Sequence, residues 1–70
     1  MNSYFLKRKT YIEIMNFLND NMIIYPINLK EFLNCSYRQA WRILNDVKEE
    51  YNLQSTTVDA QIFKMYLFGE

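Results

Sequence analysis

The sequence predicts a mainly α domain, residues 1–70, of three to four helices, with two β-prone runs able to pair only as a minimal two-stranded wing. Three observations predict it. Apolar residues recur at the 3.6-residue period in several long stretches. Helix-start spacings occur twice in quick succession, Asn28 with Glu31 and Ser36 with Gln39. Only Met22–Tyr25 and Ser55–Val58 favour β-structure, and Pro26, which cannot donate to a central ladder, confines the first to an edge. Chains of this length bury only about 60% of their unfolded surface. A hydrophobic fraction of 50% and an aromatic fraction of 17% offset that handicap. The aromatic surface exceeds what a small monomer hides easily, so a homodimer or a docking partner is expected.

In chain order, Tyr4 to Asp20 reads as the first helix. Tyr4, Tyr11, Ile14, Met15 and Leu18 share one side, while Ile12 and Phe17 lie outside that stripe. Asn19-Asp20-Asn21 is its stop, since these residues compete for backbone hydrogen bonds and tolerate left-handed conformations. The second helix is short, Leu29 to Leu33, capped by Asn28, with Ile27 and Phe32 spaced for a hydrophobic staple. Asn34 occupies the bend after it, where Asn is the best substitute for Gly. Ser36 caps a third helix running to about Tyr51. Ala40, Leu44, Val47 and Tyr51 with Ile43 form its buried face, and Asn52 its C-terminal cap. Thr56 or Thr57 starts the last helix. There Val58, Ile62, Met65 and Tyr66 form one stripe and Phe63, Leu67 and Phe68 a second, and Gly69 is the stop.

The residue inventory speaks against catalysis. There is no His, so the usual neutral-pH base and metal ligand is missing. Cys35 stands alone, expected as a small buried turn residue, and provides neither a disulfide nor a zinc site. One glycine, Gly69, excludes a glycine-rich phosphate loop. No metal and no cofactor are expected. No apolar run approaches the roughly 20 residues of a membrane span and no signal peptide is apparent, so a reducing cytoplasm is the expected compartment.

Net charge is zero, but it is unevenly placed: residues 1–42 carry net +3 and residues 43–70 net −3. The third helix repeats that polarity, with Arg38 and Arg42 first and Asp46, Glu49 and Glu50 last. The macrodipole favours the reverse order by about 0.3–1 kcal/mol per charge. An anionic partner at the helix start would account for the arrangement. Arg38, Arg42 and Asn45 share one exposed face; Arg suits guanine O6/N7 or phosphate, and Asn suits adenine N6/N7. Ser36 and Tyr37 can donate to phosphate, as can the free N–H groups of the first turn. Trp41 is expected half-buried with its indole N–H exposed. The competing reading is an ordinary solvated surface with Arg42 and Asp46 paired at i,i+4. Lys7, Arg8, Lys9, Lys30 and Lys48 are further phosphate-contact candidates, the run at 7–9 being equally readable as a solvated turn.

A short helix, a tight turn and a longer capped helix over residues 28–52 resemble the helix-turn-helix DNA-binding family. Leu29, Leu33, Asn34, Cys35, Ala40 and Ile43 carry the resemblance; Lys30 and Asn34 depart from it, standing where the family has a small residue and a glycine. The resemblance implies that Ser36, Tyr37, Arg38, Trp41, Arg42 and Asn45 face the groove of double-stranded DNA. The whole chain, rich in Asn, Ile and Lys, also resembles small DNA-binding proteins of bacteriophages, plasmids and mobile elements. The expected function is sequence-specific DNA binding by a small regulator or recombination/replication accessory factor. The dimer contacts are expected at Ile12, Phe17, Phe63, Leu67 and Phe68. The alternative is a protein-interaction module, for example a phage protein binding a host factor, with the same exposed side chains as hot spots.

Overall fold

The computed structural model describes residues 5–69 together with the backbone of Tyr4; the Tyr4 side chain and Glu70 lie outside the described residues. Five helices and one two-stranded antiparallel sheet follow in the order α1 (Tyr4–Lys7), α2 (Tyr11–Asp20), β1 (Ile23–Ile24), α3 (Pro26–Leu33), α4 (Tyr37–Glu50), β2 (Val58–Asp59) and α5 (Ala60–Phe68). The mainly α class and the minimal wing are both present.

The expected first helix is two. Thr10 interrupts it as the N-cap of α2: its Oγ1 accepts the Glu13 N–H at 3.2 Å, and Glu13 Oε1 accepts the Thr10 N–H at 3.0 Å. A reciprocal box of this kind satisfies two orphan donors at once and restarts the helix in a new direction. Hydrogen bonding of the Glu13 carboxyl to the Thr10 backbone and side chain, aided by Lys9, holds it below its ordinary pKa. The new start also changes the buried face. Ile14, Phe17 and Leu18 are buried, and Tyr11 from the expected stripe is exposed, its ring 5.2 Å from that of Phe68.

β1 pairs with β2 in the register Ile23↔Asp59 and Ile24↔Val58, and the Ala60 N–H extends the ladder to the Met22 carbonyl at 2.8 Å. The second strand therefore begins at Val58, not Ser55. Ser55 instead accepts the Thr57 N–H at 3.0 Å in a local turn. Pro26 ends β1 and, without a donor to leave unsatisfied, is the first residue of α3. The expected cap at Asn28 is thus displaced by one turn. Asn28 sits at the third helical position, where its Oδ1 accepts the Tyr25 N–H at 3.1 Å. The expected staple shifts with it: Ile27 is exposed, and Ile24 and Leu29 hold the corresponding positions, both fully buried. In the same way Asp59, not Thr56 or Thr57, caps α5 by accepting the Ile62 N–H at 2.8 Å.

Among the described residues, left-handed positions end the last three helices: Asn34 (φ 53°) after α3, Asn52 (φ 52°) after α4 and Gly69 (φ 71°) after α5. At the two asparagines the chain closes back on the helix, Cys35 N–H to the Lys30 carbonyl at 3.2 Å and Leu53 N–H to the Lys48 carbonyl at 2.9 Å. These are Schellman closures with Asn in the position glycine usually takes. The core runs through every element, from Leu6 and Leu18 through Ile24, Leu29 and Leu33 to Leu44, Val47, Val58 and Phe63. α4 packs most extensively on α3 and, at a different flank, on α5 and β2.

Candidate nucleic-acid interface

The site is built on α4. Ser36 caps it: its Oγ accepts the Gln39 N–H at 3.1 Å, and Gln39 Oε1 accepts the Ser36 N–H at 3.0 Å. The left-handed Asn34 and the extended Ser36 (φ −76°, ψ 158°) turn the chain within three residues of Leu33. Ala40, Ile43, Leu44 and Val47 are buried at the expected spacing, so the orientation of the helix is fixed. The opposite face then presents Arg38, Arg42 and Asn45 to solvent, one turn apart along one line. Tyr37 is also exposed, and Trp41 retains 36% of its surface.

The Arg42–Asp46 pair of the competing reading is not formed among the described residues. Asp46 accepts a hydrogen bond from the Tyr66 hydroxyl, which ties the middle of α4 to α5. Among the described residues neither Arg38 nor Arg42 is in an ion pair; the described pair is Lys9 with Glu13 at 3.8 Å. Both guanidiniums are therefore available to an external anion. Tyr66 is the site-supporting residue that sequence reasoning missed, since nothing local links positions 20 apart.

Burial, the Asp46 hydrogen bond and charge, and Glu50 push the Tyr66 phenol well above its ordinary value. Its native-state pKa lies above the unfolded value of about 10. The stabilisation it brings is therefore complete below pH 10 and is lost as pH rises beyond it. We expect Tyr66→Phe to destabilise the fold by about 1 kcal/mol at pH 7, the usual worth of such a hydrogen bond. Thermal melts should show that difference shrinking between pH 10 and 11.5. A constant difference across that window would contradict this role.

The outlying cations behave differently from one another. Lys48 lies over the Trp41 ring, 5.0 Å from its centroid, and Lys9 lies over Phe32 at 4.9 Å while pairing with Glu13. Lys7 is exposed, and Lys30 is half-buried on α3. Arg8 and Lys9 line a small cleft with Phe5, Leu33 and Asn34, which brings the α1–α2 loop beside the turn that precedes α4. Cys35 in that turn is partly buried, and burial pushes its thiol up.

The expected dimer surface requires correction. Phe17 (8% exposed) and Phe63 (0%) are core residues, Phe17 stacking on Phe32 with ring centroids 4.2 Å apart. Leu67 and Phe68 are partly buried against the core, and of the five only Ile12 (70%) is freely exposed. Four further large exposed apolar side chains, Met22, Ile23, Tyr25 and Ile27, lie around the wing. Among the described residues no group of acids and Cys35 has metal-ligand geometry, and no helix is long and apolar enough to cross a membrane. Comparison with family models, with curated proteins and with solved structures finds no match for this chain.

Proposed function

We propose that the protein binds double-stranded DNA in a sequence-specific manner, inserting the N-terminal half of α4 into the major groove. One observation carries this reading: Arg38, Arg42 and Asn45 share an exposed face free of ion pairs among the described residues, running from the positive end of a well-capped helix to its middle. Arg and Asn are the side chains whose fork and amide match guanine and adenine edges. The helix N-terminus adds backbone donors and a favourable dipole for phosphate. Asp46, Glu49 and Glu50 set the limit of the contact near Asn45, because acids facing a phosphate backbone would be repelled. Arg8 and Lys9 beside the turn supply flanking positive charge. The α3–turn–α4 unit would act as the helix-turn-helix of a small regulator or recombination/replication accessory factor working in the cytoplasm of a cell, host or otherwise.

A second reading is a protein-interaction module. It is favoured by the apolar side chains around the wing, among them Met22 at 78% and Tyr25 at 50% exposure, which a DNA-reading monomer does not need. They also offer a place for a second copy of the chain.

Titration of a labelled mixed-sequence duplex separates the two. At 50 mM salt we expect binding that weakens on going to 200 mM, the signature of phosphate neutralisation and counterion release. Absence of binding at 50 mM salt would overturn the DNA reading and leave the second.

A further inference from the structure

Beside the arginine face lies an aromatic flank, Tyr37 and Trp41, that charge recognition does not use. Trp41 is exposed, keeping 36% of its surface, Lys48 Nζ covers one face of its indole at 5.0 Å, and Tyr37 meets it nearly edge-on at 6.5 Å and 70°. Lys48 thus occupies one face of the ring, and Tyr37 adjoins it. What the ring offers outward is apolar surface flanked by these two neighbours. Asn45 stands one turn further along the same helix, and side chains at i and i+4 are adjacent on a helix surface. The amide of Asn45 is exposed and free of hydrogen bonds to the described residues.

A polar amide next to exposed apolar surface matches one base pair in the major groove. Adenine presents N7 and N6–H₂ there, an acceptor and a donor that an amide satisfies together, and its thymine partner presents the C5-methyl group. Cytosine lacks that methyl, so the pair discriminates by contact as well as by hydrogen bonding. We propose that Trp41 and Asn45 together read one A·T pair, Asn45 through the adenine edge and Trp41 through the thymine methyl. Lys48 and Tyr37 act as positioning residues for the indole. This assignment rests on the DNA reading above and adds which base that flank selects.

The test uses the full chain and a duplex enriched from a randomised 20-bp pool at low salt, resynthesised with deoxyuridine replacing each thymine in turn. Deoxyuridine removes the methyl and nothing else from the groove. We expect one thymine per half-site at which affinity falls about fourfold, the worth of one buried methyl group. In Trp41→Ala that sensitivity should vanish while salt-dependent binding persists. The chain has one tryptophan, so its emission reports the contact without any substitution. It should differ between the saturated thymine and deoxyuridine complexes. A duplex that binds equally well with and without every methyl, identical emission in the two complexes, or sensitivity retained in Trp41→Ala would each overturn this inference and leave the DNA reading standing. A pool from which no duplex is enriched would overturn both.

Discussion

Replacing Arg42 with alanine is expected to weaken duplex binding by about 1–3 kcal/mol, and Arg38→Ala by a similar amount. Both side chains are exposed and make no ion pair among the described residues, so neither substitution removes an internal contact. Thermal stability should stay within about 0.5 kcal/mol of the parent, as for ordinary surface changes. Affinity and stability thereby separate. The two arginines need not act alike. One that contacts phosphate should weaken binding to all sequences and lower the salt slope by about one. One that reads guanine should weaken the preferred duplex most and leave non-specific binding nearly unchanged. Fluorescence anisotropy across a salt series, on the enriched and on a scrambled duplex, distinguishes them. Unchanged binding in both variants would remove α4 from the interface, and the wing would then become the surface to examine.

Local chemistry made α4 the most legible element of the chain. Its cap, its buried stripe and its left-handed terminator Asn52 each follow from residues within a turn or two of one another. The misplaced helix starts share a different cause. Thr10 and Glu13 have capping-box spacing, yet Tyr4 and Tyr11 lie on one helical stripe across Thr10, and periodicity alone favours one long helix. At Pro26 a strand-ending residue is also a good first helical residue, and periodicity does not say which role dominates. Asp59 wins over Thr56 as cap because the pairing of Ile23 with Asp59 fixes where the strand ends. That pairing links residues far apart in sequence. Tyr66 with Asp46 was illegible for the same reason, and with it the occupation of the carboxylate that the competing reading paired with Arg42. The arginine face itself was readable because helical geometry alone determines it.

The other large effect is expected at Phe63. Phe63→Ala should destabilise the fold by about 3–5 kcal/mol, the range for removing a buried aromatic ring and leaving its cavity. Apolar residues surround α5 on two sides, so sequence spacing could not tell its inner stripe from its outer one. The structure resolves it. Phe63 is fully buried, and Ile62, Met65, Tyr66, Leu67 and Phe68 are only partly covered. Domains of this size have stabilities at the lower end of about 5–15 kcal/mol, so the loss removes a large share of the total. The variant should melt far below the parent or be unfolded at room temperature by circular dichroism. Had Phe63 lain at a dimer surface, the substitution would leave the monomer folded and would change only self-association. Ile12→Ser supplies the contrast. Ile12 is 70% exposed, so its replacement should leave the melting midpoint of a dilute sample nearly unchanged. A folded, fully stable Phe63→Ala protein would contradict the burial of this ring, and with it the packing of α5 that lets Tyr66 reach Asp46 and leaves Arg42 free.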